Sequence, residues 1–300
     1  MKRGRTQEKP RLITAALLGR WPLPEVHPKL GKEGRGNVLV IGGSSRIPGA
    51  VILAAVGALR AGAGRIQIAT ARSVAPHVAV TVPEACVIGL TETRTGELGA
   101  GNSRVLHDSL ANSDAMLIGP GMRCETRASH ALVAQARRVG SKASLIVDAG
   151  ALSAVERFRS GRVGGELILT PHAGEMATLW GCDREEVLAR PLEIARAAAA
   201  RWNAVVALKG ARTFVVAADG TAYCNTAGNV GLGTSGSGDA LSGVIAGLCA
   251  RGASALQAAV WGVFLHAKAG DLLARRIGAL GFLARELLTE IPSLLVKIAR

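Results

Sequence analysis

From Asn37 onward, short apolar runs alternate with longer segments whose apolar positions recur at helical spacing. Val38-Leu39-Val40-Ile41 predicts a strand, followed by a glycine-rich turn and a helix over about 49–61. Further strands are predicted at 65–69, 115–118, 145–147, 167–169 and 205–208. These runs are apolar throughout rather than alternating, so both of their faces must be covered, as in a parallel sheet flanked by helices. The rhythm continues for roughly 250 residues without a linker or an internal repeat, which predicts one doubly wound α/β domain over 36–300. Residues 1–35 carry little pattern beyond Trp21-Pro22-Leu23-Pro24 and are expected to form an N-terminal arm. The apolar stretch 240–270 is rich in Gly and Ala and broken at Arg251; it reads as two buried helices rather than a membrane span.

Most of these strands end in a polar or glycine-containing signature. Gly119-Pro120-Gly121, Asp148, Thr170-Pro171-His172 and Lys209-Gly210 each follow one. Open parallel sheets bind ligands beyond the carboxyl ends of their strands, so these residues are expected to meet in one cleft.

Composition changes this picture little. In 300 residues, 49% are hydrophobic and 19% charged, as in a globular protein, and aromatics are scarce at 3%. The formal charge of +14 has a larger consequence. Part of it lies in the arm, at Lys2, Arg3, Arg5, Lys9 and Arg11, and the rest is dispersed. No nucleic-acid-binding motif is present, and one Tyr and four Phe offer little for base stacking, so no nucleic-acid partner is expected. A basic surface of this kind suits small anionic ligands. The five cysteines are widely spaced without a CxxC pair, which implies reduced thiols in a cytoplasmic protein and no zinc site. No apolar run follows the basic N-terminus, so it does not read as a signal peptide.

The stretch Gly228-Asn229-Val230-Gly231-Leu232-Gly233-Thr234-Ser235-Gly236-Ser237-Gly238-Asp239 carries the most chemistry. Ala240, Leu241, Val244, Ile245 and Leu248 follow at helical spacing, so a glycine-rich turn opens a helix whose first amides are free donors. Gly236 and Gly238 carry no Cβ that would keep a phosphoryl oxygen from those amides. Asp239 at such an anion hole reads either as the acceptor of a proton from a substrate hydroxyl or as a helix N-cap. Gly231-x-Gly233-x-x-Gly236 also satisfies the dinucleotide fingerprint. That reading fails on context, because no Asp or Glu stands between Asp239 and Asp271 to hold a ribose.

With these motifs the chain resembles the ribokinase-like superfamily and, within it, the ADP/ATP-dependent NAD(P)H-hydrate dehydratases. The resemblance runs from about 32 to 295. It rests on Val40-Ile41-Gly42-Gly43-Ser44 with Pro48-Gly49-Ala50, Pro83-Glu84, Ile118-Gly119-Pro120-Gly121 and Val147-Asp148-Ala149-Gly150-Ala151-Leu152. Leu169-Thr170-Pro171-His172-Ala173-Gly174-Glu175, Leu208-Lys209-Gly210-Ala211-Arg212-Thr213, the Gly228–Asp239 stretch, Leu265-His266 and Ala269-Gly270-Asp271 complete it in order. The chain departs from the family pattern at Glu33, Arg123 and Ser235.

The resemblance implies a ribokinase-like, mostly parallel central sheet with helices on both faces. It implies a hydro-lyase that returns NADHX or NADPHX to NADH or NADPH at the expense of ADP or ATP. Ala50, Gly121, His172 and Asp239 would contact the hydrated dinucleotide. Lys209, Gly210, Ala211, Arg212 and Thr213, with Gly236, Ser237 and Gly238, would hold the nucleotide. Asp239 would be the catalytic base, and Glu175 would bind Mg2+ through water. Members of this family are often tetramers in bacteria, so a homo-oligomer is expected. The epimerase domain fused to some relatives is not seen, and epimerase activity is not expected.

Simpler readings stand beside these. Gly42-Gly43 and Gly119-Pro120-Gly121 also suit plain βα turns, Lys209-Gly210 a hairpin start, and Asp148 a helix cap. His172 could satisfy a backbone carbonyl. His77, His107 and His130 read as surface residues and the four Trp as structural. A small-molecule kinase of the same superfamily would use the same anion hole and the same Asp239. A non-catalytic nucleotide-binding protein would have no use for that carboxylate.

Overall fold

A computed structural model describes residues 8–25, 31–123, 127–139, 142–157 and 165–299. The apolar runs form β2 (Asn37–Ile41), β3 (Arg65–Ala71), β5 (Ala115–Ile118), β6 (Ser144–Val147), β7 (Leu167–Leu169) and β8 (Val205–Leu208). With β1 (Arg11–Leu12), β4 (Ala85–Leu90), β9 (Thr213–Val216) and β10 (Ala222–Asn225) they make a single sheet in the order β1-β10-β9-β8-β7-β6-β5-β2-β3-β4. β9 runs antiparallel to both of its neighbours, and the other pairs are parallel. The helices are α1 (Ala15–Gly19), α2 (Gly49–Arg60), α3 (Ala75–Thr81), α4 (Ser103–Ala111), α5 (Arg127–Val139), α6 (Ala173–Trp180), α7 (Arg184–Ala189), α8 (Pro191–Trp202), α9 (Ser237–Ala250), α10 (Ala255–Arg276) and α11 (Ala284–Ala299).

Alternate residues of each central strand feed two cores. Val38, Val40, Leu117 and Ile146 pack beneath α2, α9, α10 and α11. Leu39, Ile41, Met116 and Val147 pack beneath α4, α5, α6 and α8. That arrangement explains the uninterrupted apolar runs, since each face of the sheet meets helices. The chain winds outward from β2 through β3 and β4, then returns to β5 on the other side of β2. The β2–β5 boundary is therefore the switch point where a ligand crevice is expected.

β4, β9 and β10 are not among the strands that the apolar runs predict. β4 is an edge strand with partly exposed residues and Gly89 near its end, and β9 and β10 are an antiparallel hairpin whose runs include the polar Thr213 and Asn225. The stretch expected to be an arm supplies β1, which pairs with Tyr223 and Cys224 of β10. Leu18 is fully buried, and the Trp21 ring stacks on Tyr223 at 5.8 Å. The Trp261 indole donates to the Trp21 carbonyl at 3.0 Å. Lys2, Arg3, Arg5 and Cys124 lie outside the described residues. Among the described residues no helix is long and apolar enough to cross a membrane.

Small residues let α9 lie directly on α2. Cβ atoms at Gly243 and Gly247 would meet the carbonyl oxygens of Ala54 and Ala58 at 2.1 and 2.4 Å. The two helix backbones thus touch, and the start of α9 is fixed relative to the switch point.

Candidate active site

The turn after β2 and the turn after β5 interlock at the switch point. Gly43 donates to the Pro120 carbonyl at 2.7 Å. Gly121 has φ +69°, and a Cβ there would lie 2.9 Å from Ala50 Cβ and 2.6 Å from the Ile47 carbonyl oxygen. Ala50, in the first turn of α2, and Gly121 are therefore neighbours. Farther along α2, Leu53 packs against Gly236, where a Cβ would meet its Cδ1 at 2.4 Å. This chain of contacts joins the switch point to the start of α9.

Gly236 caps α9 with φ +85°, in the left-handed region that favours glycine. The Ser237 amide donates to the Thr234 carbonyl, and the Ala240 amide closes the first helical turn on Gly236. The amides of Gly238 and Asp239 have no protein acceptor among the described residues. The anion hole is thus narrower than the sequence implied, because the Ser237 amide is engaged. Asp239 lies in the first turn and Gly236 is the cap, so the N-cap reading of Asp239 does not hold.

The ends of β6, β7 and β8 bring a charged cluster to the same place. Lys209 extends the parallel ladder by bridging to His172, and its amide donates to the Pro171 carbonyl at 2.8 Å. Its Nζ lies 3.1 Å from Asp148 Oδ1 and 3.8 Å from Glu175 Oε2. A Cβ at Gly238 would lie 3.3 Å from the same Nζ, so the ammonium sits beside the helix start. Burial alone would lower the Lys209 ammonium, but Asp148, Glu175 and Asp239 hold it above its ordinary value. Burial also pushes the Asp239 carboxyl up, with the negative charges of Asp148 and Glu175 acting the same way against the pull of Lys209, and it reaches about 7.

His172 caps α6. Its Nδ1 accepts from the amides of Gly174 and Glu175 at 3.0 and 3.1 Å, while Glu175 Oε2 accepts from the His172 amide at 2.8 Å. This reciprocal capping box places the ring proton on Nε2. The ring thus accepts from amides rather than satisfying a carbonyl.

A cavity of about 750 Å3 opens beside this cluster. Lys209, Gly210, Ala211, Thr213, Ser237 and Gly238 line it, and His172 stands on its wall. Arg212 and Gly236, both expected with the nucleotide, are not among the lining residues; Gly236 packs on Leu53, and the Arg212 guanidinium lies over the Phe214 ring and 3.5 Å from Cys224 Sγ. The hairpin reading of Lys209-Gly210 is correct for the backbone, since β8 and β9 pair antiparallel, yet the Lys209 side chain belongs to the site.

Two groups have partners here that the sequence did not indicate: Asp148, expected only as a strand-end residue of the cleft or a helix cap, and His266, quoted only within a family motif. Asp148 is 1% exposed and anchors Lys209; the available signal was its position at a strand end. His266 lies buried in α10 with Nε2 3.0 Å from Ser237 Oγ; its signal was a lone imidazole in an apolar helix. His77 and His107 are exposed and His130 is half-buried.

Among the described residues no three His, Cys, Asp or Glu side chains gather closely enough to hold a metal ion directly. Asp148 and Glu175 both face Lys209. This donor set fits an ion carried on nucleotide phosphates and reached through water, which is how Mg2+ is commonly held.

The chain is similar to proteins of known activity. The family model for NAD(P)H-hydrate dehydratase matches residues 38–293. An ADP-dependent (S)-NAD(P)H-hydrate dehydratase of Xanthomonas campestris is 50% identical over 98% of this chain and 99% of its own. A bifunctional NAD(P)H-hydrate repair enzyme of Moorella thermoacetica is 40% identical over 95% of this chain, which spans 54% of that enzyme. A crystal structure of the Bacillus subtilis ADP/ATP-dependent NAD(P)H-hydrate dehydratase, co-crystallized with ATP/Mg2+, superposes with a TM-score of 0.80. It is 30% identical, and the match covers 96% of this chain and 98% of that one.

Proposed function

The chain belongs to the NAD(P)H-hydrate dehydratase family of ADP- or ATP-dependent hydro-lyases, and we propose that Asp239, the start of α9 and Lys209 together carry its reaction. The reaction restores NADH or NADPH from NADHX or NADPHX, in which water has added to the nicotinamide ring. Hydroxide leaves poorly from carbon, so the ring hydroxyl is first converted to a phosphate ester.

The nucleotide lies in the cavity along Lys209–Thr213, with its terminal phosphate at the free amides of Gly238 and Asp239. The hydrated ring lies beyond, against Ala50 and Gly121, with His172 at the border. Asp239 takes the proton from the ring hydroxyl as its oxygen attacks the terminal phosphorus. The new O–P bond forms as the bridging P–O bond breaks, and ADP leaves from ATP, or AMP from ADP. The two amides and the Lys209 ammonium stabilise the moving phosphoryl group; one well-aimed donor of this kind is worth about 3 kcal/mol. The ring nitrogen lone pair then expels phosphate by breaking the C–O bond, and loss of a proton from the neighbouring carbon completes the reduced ring. Glu175 would hold Mg2+ through water, and the ion when bound would supply positive charge to the phosphates.

One observation supports this reading above the others. A carboxyl group pushed up to about 7 lies in the first turn of a helix whose amides are unfilled, with an ammonium next to it. A group that titrates near the working pH can both accept and return a proton. A cytoplasmic location and a homo-oligomeric assembly belong to the same proposal.

The test is to incubate the protein with hydrated NADPH, Mg2+ and either ADP or ATP. The near-ultraviolet absorbance of NADPH is expected to return, with one phosphate released per ring restored. Absorbance that stays flat while ATP is consumed on a vitamin alcohol or a sugar would place the chain with the kinases of the superfamily instead.

A further inference from the structure

The Ser237–His266 pair does nothing that the fold alone requires. Ser237 is the first residue of α9, behind the Gly236 cap, and its hydroxyl pairs with His266 rather than with a helix amide, so it does not cap the helix. His266 comes from α10, where it is 9% exposed among apolar neighbours. An imidazole is costly to bury in such a setting unless it is hydrogen-bonded, and its Nε2 lies 3.0 Å from Ser237 Oγ. Burial pushes the ring down to about 4, against a hydrogen bond to the Ser237 backbone that raises it, and the positive charge of Lys209 acts with burial. It is therefore a neutral imidazole with one proton to place.

Both residues line the cavity together with Lys209 and Gly238. That gives the shared proton a direction. If Ser237 donated to His266, the hydroxyl oxygen would turn its lone pairs toward the place where phosphate is received. If His266 donates instead, the hydroxyl proton is free to point at a phosphate oxygen. Only the second arrangement attracts an anion.

We propose that His266 is a positioning residue for the nucleotide, donating Nε2–H to Ser237 Oγ so that the Ser237 hydroxyl becomes a further donor to the phosphate at the start of α9. The inference rests on the nucleotide reading of this cavity. It completes an anion hole in which the Ser237 amide is engaged and its side chain substitutes.

Calorimetric titration of the full chain with ADP and with adenosine tests it, using Ser237→Ala, His266→Leu, the double variant and His266→Gln. Each single removal is expected to weaken ADP about tenfold, as for a hydrogen bond to a charged group. The double variant is expected to be no weaker than either single one, because both remove the same donor. Adenosine, which has no phosphate, should bind all of them alike. His266→Gln, whose amide nitrogen can reach Ser237, should recover ADP affinity to within about threefold of wild type. Should His266→Leu fail to fold, His266→Asn takes its place, with a polar amide that ends short of Ser237.

Losses that multiply in the double variant, ADP affinity unchanged on loss of His266, or adenosine weakened as much as ADP would each overturn the positioning role. Wild-type protein that binds no ADP would overturn the nucleotide reading itself, and this inference with it.

Discussion

The Lys209 ammonium lies 3.1 Å from Asp148 Oδ1, although 61 residues separate the two in the chain. β6 and β8 flank β7, so their carboxyl ends present both side chains to the same space. Asp148 is 1% exposed and faces Lys209 together with Glu175, while Asp239 adds a third negative charge to the cluster. One cation is thus shared among carboxylates, and in the proposed reaction it is what lets a base and an anion hole coexist at the start of α9.

Removing that cation should be visible in the pH dependence. Lys209 pulls the Asp239 carboxyl down, against burial and the like charges that push it up to about 7. Lys209→Met should therefore move the acid limb of kcat/KM to higher pH and lower kcat by at least about tenfold. A pH–rate profile of the two proteins measures both effects.

Asp148→Asn should cost stability. It leaves the Lys209 ammonium, whose side chain is 19% exposed, with Glu175 at 3.8 Å as its nearest counter-charge. Breaking a buried pair from one side is expected to cost about 2–3 kcal/mol, read from urea unfolding at neutral pH.

The sequence made the central strands legible because β2, β5, β6, β7 and β8 are covered on both faces and therefore apolar throughout. β1 escaped notice because it is 2 exposed residues whose conformation is set by pairing with Tyr223 and Cys224. Asp239 and its glycine-rich turn were readable because the whole device is contiguous in the chain. The Asp148–Lys209 and Ser237–His266 pairs were not, since each joins residues from separate elements that only packing brings together. Arg212 shows the converse: it adjoins lining residues in sequence, but its side chain is taken up by Phe214 and Cys224.

Gly238→Ala should separate folding from binding. The added Cβ would lie 3.3 Å from Lys209 Nζ, the movable end of a flexible side chain. Alanine also favours the helix by up to about 1 kcal/mol, so the melting temperature should hold or rise. The methyl group would stand beside the free amides, and ADP affinity should fall about tenfold in a titration.

Asp239 should also destabilise the protein in which it works. Its folded pKa is raised from the ordinary 3.8 to about 7, so between those values the folded state binds more protons than the unfolded state. Stability from this group is full below about pH 4 and is lost as pH rises through about 7. Asp239→Asn should thus leave stability little changed at low pH and raise it at pH 8 by an amount on the order of 4 kcal/mol, followed by urea unfolding at several pH values.

The most direct test of the account is the recovery of NADPH absorbance from hydrated NADPH at pH 8, with ADP or ATP and Mg2+, by the wild type and by Asp239→Asn. ADP titration on both proteins should give similar affinities. The wild type should restore the absorbance, and the variant should be slower by about a thousandfold, as for loss of a general base. A variant that restores NADPH at the wild-type rate would contradict the assignment of Asp239 as the proton acceptor.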